Sequence, residues 1–121
     1  MPPPWRVGIL GLGNIAQGYD TPDGPAINTH IKACLNEPRL TITALSDADA
    51  QQAERVARMW GLDASIYASD AFFSAKCDVV CISAPDALHV ELTEKALDCG
   101  ARTVLCEKPL GPDQRAAERL A

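Results

Sequence analysis

An apolar run, Val7-Gly8-Ile9-Leu10, breaks into Gly11-Leu12-Gly13-Asn14-Ile15-Ala16. A short apolar run that ends in glycines reads as a buried parallel strand. The strand then gives way to a sharp strand-to-helix turn. Gly11 permits the tight turn, Gly13 lets a ligand approach the backbone, and Ala16 is small enough for the next helix to pack against the strand. Such a turn can hold a pyrophosphate without a cationic side chain, because backbone N–H groups at a helix start point at the anion. A glycine-rich turn with no ligand is spelled the same way, so the rest of the chain has to decide between them.

The remainder alternates strands with helices. A helix is expected to start near Asn14 and to be interrupted by the breakers of Gly18-Tyr19-Asp20-Thr21-Pro22-Asp23-Gly24-Pro25. A helical stretch resumes over Thr29 to Leu35 with Thr29 as N-cap, and Glu37-Pro38 closes it. Leu40 to Leu45, rich in β-branched residues, is the second strand. Asp47 or Asp49 caps the next helix. Its apolar positions Ala50, Ala53, Val56, Ala57 and Trp60 recur at helical spacing, Glu54 and Arg58 are set for an outer-face ion pair, and Gly61 sits where a terminating glycine belongs. Ser65-Ile66-Tyr67 is a short third strand. Ser69 caps a brief helix through Phe72 and Phe73. Asp78 to Ser83 is the fourth strand. A helix from Asp86 to Cys99 places Leu88, Leu92, Ala96 and Leu97 along one side, and Gly100 ends it. Arg102 to Cys106 is the fifth strand, and Gly111-Pro112 opens a last helix. This order implies an α/β fold, a parallel sheet with helices on both faces and right-handed crossovers; with the glycine turn after its first strand it is expected to be a doubly wound Rossmann sheet of five strands, order 3-2-1-4-5. Residues 1–121 form one dinucleotide-binding domain on this reading.

Composition narrows the partners. The net charge of −5 and the lack of Lys/Arg clusters argue against nucleic acid. No apolar run approaches the ~20 residues of a membrane span, and the N-terminus lacks the apolar stretch of a secretory signal. Cys34, Cys77, Cys81, Cys99 and Cys106 form no CxxC pair and read as buried, reduced thiols of a cytoplasmic protein. His30 and His89 show no ligand spacing with any cysteine, so no metal is expected.

The chemistry concentrates at the strand ends. Asp47, after the second strand, is placed to accept hydrogen bonds from the adenosine ribose and to repel a 2′-phosphate. Ala48, Asp49 and Ala50 supply no cation to bind one, which favours NAD over NADP. A helix N-cap is the simpler alternative for Asp47. Ser83, Ala84 and Pro85 follow the fourth strand on the nicotinamide side. His89 faces either the cofactor ribose or the substrate pocket, or is a solvated or locally hydrogen-bonded residue of the first helical turn. Glu107-Lys108-Pro109 follows the fifth strand at the same sheet edge. There Lys108 can polarise a substrate oxygen and take part in proton transfer, while Glu107 tunes its charge or holds the ribose.

These residues together resemble the Gfo/Idh/MocA oxidoreductase family, almost end to end. Gly11-Leu12-Gly13-Asn14-Ile15-Ala16 is similar to that family's opening turn, Ser46-Asp47-Ala48-Asp49 to its second-strand exit, and Ile82-Ser83-Ala84-Pro85 with His89-Val90-Glu91 to its fourth-strand segment. The most specific stretch is Val104-Leu105-Cys106-Glu107-Lys108-Pro109-Leu110. The resemblance implies NAD(P)-dependent hydride transfer at a secondary alcohol of a sugar, cyclitol or nucleotide sugar. Gly11, Leu12, Gly13, Asn14 and Ile15 would hold the pyrophosphate, Asp47 the ribose, and Ser83, Ala84, Pro85 and His89 would flank the nicotinamide. Lys108 would be the catalytic residue. Some relatives reduce an imine or biliverdin, or hydrolyse glycosides through a redox cycle. Members carry a second α/β domain that supplies most of the substrate pocket and the oligomer interface. This chain is therefore expected to be a fragment or truncated product, binding cofactor with little or no turnover. The Tyr19–Thr29 loop, longer than the family's usual link, is either part of a lid or a tolerated insertion. The alternative to an enzyme is a free-standing dinucleotide-binding, redox-sensing or interaction module.

Overall fold

The computed structural model describes residues 4–68, 71–84 and 88–106. Five parallel strands form the sheet: β1 (Trp5–Leu10), β2 (Leu40–Ser46), β3 (Ser65–Ile66), β4 (Val79–Ile82) and β5 (Thr103–Cys106). Their spatial order is β3-β2-β1-β4-β5, the order expected of the doubly wound Rossmann sheet. The chain runs outward from β1 to one edge and then crosses back to β4. The C-terminal ends of β1 and β4 therefore diverge into a crevice at the point where the winding reverses.

The helices are α1 (His30–Leu35), α2 (Ala50–Trp60) and α3 (His89–Asp98), with a 3₁₀ turn at Ala71–Ala75. One face of the sheet buries Val7, Ile9, Ile42 and Leu45 against Ile31, Ala53, Val56 and Trp60; the other buries Leu10, Ala44, Val80 and Ile82 against Phe72, Phe73 and Ala96. Ile42 and Leu45 share a face although they are an odd number apart. The β1–β2 register shifts between Val7 and Gly8, and the residue skipped, Thr43, inverts the alternation of β2. On the opposite face Gly8 leaves room for Phe72: a Cβ there would lie 2.6 Å from the ring tip.

Sequence expectations hold at the caps. The Thr29 hydroxyl accepts from the Lys32 N–H at 3.3 Å. Asp49, of the two candidates, caps α2 by accepting from the Gln51 N–H at 3.0 Å, and Gly61 ends that helix in the left-handed region at φ 63°. Four expectations are corrected. The helix expected at Asn14 is a five-residue π-turn, Asn14–Gly18, because the breakers beginning at Gly18 leave no length for an α-helix. The buried side of α3 is His89, Val90, Thr93 and Ala96, while Leu88 and Leu97 are 41% and 48% exposed. The face is rotated from the purely apolar reading because polar His89 and Thr93 turn inward. Among the described residues, the acid–base pair that closes along a helix is Glu91–Lys95 at 3.5 Å, while Glu54 and Arg58 are both exposed and do not pair with each other. Of the cysteines, Cys34, Cys77 and Cys81 are buried, but Cys99 is exposed and Cys106 half-buried, since they lie at the end of α3 and on an outer strand. The starts of the helices expected at Ser69 and Asp86, and the one expected at Gly111-Pro112, lie outside the described residues.

The loop between the π-turn and α1 is tied to its own stem. Asp20 Oδ2 accepts from the Asn28 N–H at 2.7 Å and the Thr29 hydroxyl at 2.8 Å. Burial pushes the Asp20 carboxyl up, and these hydrogen bonds overcome it, leaving its pKa below the usual carboxylate value. The buried Lys32 ammonium donates to the carbonyls of Thr21, at 2.8 Å, and Gly24.

Among the described residues no helix is long and apolar enough to cross a membrane, and no cluster of three metal-ligating side chains occurs.

Candidate functional site

A crevice of about 740 Å³ opens at the C-terminal ends of β1, β2 and β4. That is the size of a small-molecule or cofactor pocket. Leu10 to Gly13 form its floor. Ser46 and Asp47 line one side, Ser83 and Ala84 the other, with Leu88 and Leu92 above them.

The glycine turn is held by side chains from far along the chain. Leu12 is the hub. Its N–H donates to Asp47 Oδ2 at 2.8 Å, and its carbonyl accepts from Gln52 Nε2 at 2.8 Å and Gln17 Nε2 at 3.3 Å. Gln17 is in turn oriented by the Trp60 indole N–H, 3.4 Å from its Oε1. Asp47 Oδ1 accepts from the Asp49 N–H at 2.9 Å, so the same carboxylate ties the turn to the start of α2. This satisfies both backbone polar groups of the buried Leu12 and fixes the turn before any ligand arrives.

Gly11 and Gly13 have different surroundings. Gly11 sits at φ +92°, and a Cβ there would meet the Ser83 carbonyl carbon at 2.6 Å and the Ala84 nitrogen at 2.7 Å. It is the contact between the two walls. Gly13 is exposed, at φ −84°, and a Cβ there would meet nothing within 4 Å. The protein leaves that space open, as backbone approach by a pyrophosphate requires.

The polar groups at the walls also fit a hydroxyl-rich ligand. Ser46 Oγ and Ser83 Oγ are buried at the two strand ends, and neither has a hydrogen-bond partner among the described residues. Asp47 is half-buried at the crevice edge, with its carboxylate beside the turn.

The structure thus gathers Gly11, Leu12, Gly13, Asp47, Ser83 and Ala84 around one crevice. Asn14 and Ile15 open the π-turn beside it. His89 takes the locally bonded alternative: it is 1% exposed, with Nε2 2.7 Å from the Ala84 carbonyl oxygen. Pro85, Glu107 and Lys108 lie outside the described residues. Sequence reasoning missed Ser46, Gln17 and Gln52. Ser46 carried a signal, a polar residue ending an apolar strand next to Asp47. The glutamines carried none.

Comparison with known proteins agrees with this geometry. The oxidoreductase family described by its NAD-binding Rossmann fold, GFO_IDH_MocA, matches residues 5–121. The inositol 2-dehydrogenase of Corynebacterium glutamicum (strain ATCC 13032) is 31% identical over 116 residues, which cover 95% of this chain and 31% of that protein. The crystal structure of KijD10, a 3-ketoreductase from Actinomadura kijaniata in complex with TDP-benzene and NADP (open conformation), superposes with a TM-score of 0.76 at 30% identity, covering 97% of this chain and 34% of that one. Myo-inositol dehydrogenase from Lactobacillus casei, in complex with NAD(H) and myo-inositol, superposes with a TM-score of 0.76 at 27% identity, covering 96% and 32%. The chain spans about a third of the length of the relatives it matches. Matched by the family over residues 5–121 and superposing on its members along nearly its whole length, the chain belongs to the Gfo/Idh/MocA oxidoreductase family and corresponds to its NAD-binding Rossmann domain.

Proposed function

We propose that this chain is the cofactor-binding half of an NAD-dependent oxidoreductase acting on a secondary alcohol of a sugar, cyclitol or nucleotide sugar, or on the corresponding ketone. The observation that carries the reading is the crevice itself: a preorganised glycine turn with open space over Gly13, and the Asp47 carboxylate bonded to the Leu12 N–H at 2.8 Å.

The bound dinucleotide supplies the hydride acceptor or donor. The chain's residues position it. The turn from Gly11 to Ile15 cradles the pyrophosphate, with the backbone N–H groups of Gly13, Asn14 and Ile15 as donors, since those of Gly11 and Leu12 are already bonded to the Ser46 carbonyl and the Asp47 carboxylate. The remaining lone pairs of Asp47 take the adenosine ribose hydroxyls, and its charge, with Asp49 close behind and no cation at Ala48 or Ala50, disfavours a 2′-phosphate. Ser83 and Ala84 form the nicotinamide side, to which Pro85, next in the sequence, is also assigned. Glu107 and Lys108 come directly after Cys106 in the sequence, and Lys108 is assigned to act on the substrate oxygen by orienting it and exchanging its proton. The relatives that bind inositol or a TDP-linked ligand are about three times longer, and the substrate pocket is assigned to the part of the family's length that this chain does not span. By itself the chain binds cofactor and turns over little or nothing.

Calorimetric titration with NAD⁺ and NADP⁺ tests this. Saturable NAD⁺ binding, preferred over NADP⁺ and abolished by Gly13→Val, is the expected result. Preference for NADP⁺ overturns the role given to Asp47; binding of neither overturns the proposal for this chain.

A further inference from the structure

His89 is a buried imidazole at the start of α3 that reaches back to the main chain before its own helix. Its Nε2 lies 2.7 Å from the Ala84 oxygen, and because a carbonyl only accepts, the ring donates there. Ala84 is also held from the other side. The Ser83–Ala84 peptide packs on the bare Cα face of Gly11, and the Ser83 N–H donates to the Leu10 carbonyl at 2.8 Å. The crevice wall beyond β4 is thus gripped between the glycine turn and one histidine. His89 is not among the residues lining the crevice.

We propose that His89 is a positioning residue: by pinning the Ala84 carbonyl it sets the distance between the Ser83–Ala84 wall and the glycine turn, and so the alignment of the nicotinamide half of the cofactor, without touching it. This rests on the cofactor reading above. It predicts a defect confined to one half of the ligand. The adenosine half is held by Asp47 and the turn, whose bonds do not involve His89. Only the nicotinamide half depends on the wall.

The test measures NAD⁺ and ADP-ribose affinities side by side for the full chain and for His89→Leu, His89→Asn and His89→Gln. Glutamine can place an N–H near the position of Nε2; asparagine is too short and leucine has no donor. Losing one buried hydrogen bond that orders the wall is expected to weaken NAD⁺ binding about tenfold in the Leu and Asn variants, with ADP-ribose binding held within about twofold and Gln restoring most of the loss. An unchanged ratio of the two affinities in the Leu and Asn variants overturns the inference. So does an equal loss for both ligands, which marks a defect of the whole fold. Equal affinities for the two ligands in the unaltered chain overturn it together with the nicotinamide-side assignment. If the unaltered chain binds neither, the cofactor reading itself has failed.

Discussion

Replacing Gly11 by alanine asks two things of the backbone at once. The residue must hold φ +92°, which costs an L-amino acid roughly 1–2 kcal/mol. Its methyl must also enter a space where backbone atoms of Ser83 and Ala84 lie 2.6–2.7 Å away, and forcing that wall outward costs about 1–3 kcal/mol more. The sum, about 2–5 kcal/mol, is a large part of the ~5–15 kcal/mol that stabilises a domain. At roughly 4 °C per kcal/mol, Gly11→Ala lowers Tm by about 8–20 °C, read by circular dichroism. Gly13→Ala is the control. With φ −84° and nothing within 4 Å, its methyl strains nothing, and reduced freedom of the unfolded chain raises stability by up to ~1 kcal/mol. The same methyl occupies the space left for the pyrophosphate, so NAD⁺ affinity falls about tenfold or more. One glycine therefore serves the fold and the other the ligand. Equal Tm losses in the two variants, or an unchanged Tm in Gly11→Ala, would refute the steric reasoning; full NAD⁺ binding by Gly13→Ala would refute the placement of the pyrophosphate.

Asp47→Asn keeps an acceptor for the Leu12 N–H, loses the one for the Asp49 N–H and removes the charge, so the NAD⁺-over-NADP⁺ preference should narrow by about tenfold in competition titrations, with stability falling by about 1 kcal/mol. Gln52→Ala deletes the 2.8 Å bond to the Leu12 carbonyl and should cost about 1 kcal/mol of stability, with weaker NAD⁺ binding as the turn loosens; unaltered binding would remove Gln52 from the site. Asp78 accepts from the Arg6 N–H at 2.9 Å and from the Arg6 guanidinium, and these bonds hold its carboxyl below the usual aspartate value. A lowered folded-state pKa contributes stability that is present above the unfolded value near ~3.9 and lost as pH falls through the folded one. Asp78→Asn should therefore lower Tm at neutral pH and flatten its decline below about pH 4.

How much was legible depends on the range over which each signal acts. The strands announced themselves as short apolar or β-branched runs, and the caps as Thr29 for α1 and, for α2, Gly61 and one of Asp47 and Asp49, because each depends on neighbours a few residues away. The phase of α3 did not. An apolar reading favours Leu88 and Leu97, and only the crossing of β4 and α3 shows that His89 finds a buried acceptor at Ala84. The clamp on Leu12 was hidden for the same reason. Asp47 and Gln52 lie 35 and 40 residues from Leu12, and strand order, with no local periodicity, brings them to it. Asp47 was found because it ends a strand, a place with a known use. Gln52 sits in the first turn of a helix, where a glutamine usually signifies solvent.

The loop stapled by Asp20 and Lys32 separates two design problems that a single chain must usually solve together. Its ends are fastened to each other by Asp20 to Asn28 and Thr29, and Lys32 holds Thr21 and Gly24, while Ile27, just before the anchored Asn28, stands 54% exposed. Closing a longer excursion between such anchored ends adds only about 0.6 kcal/mol per doubling of length. The segment is thus a socket in evolutionary and engineering terms. Sequence can be grafted between Gly24 and Asn28, or the chain opened there and its termini relocated, and the strand order that makes the crevice is not consulted.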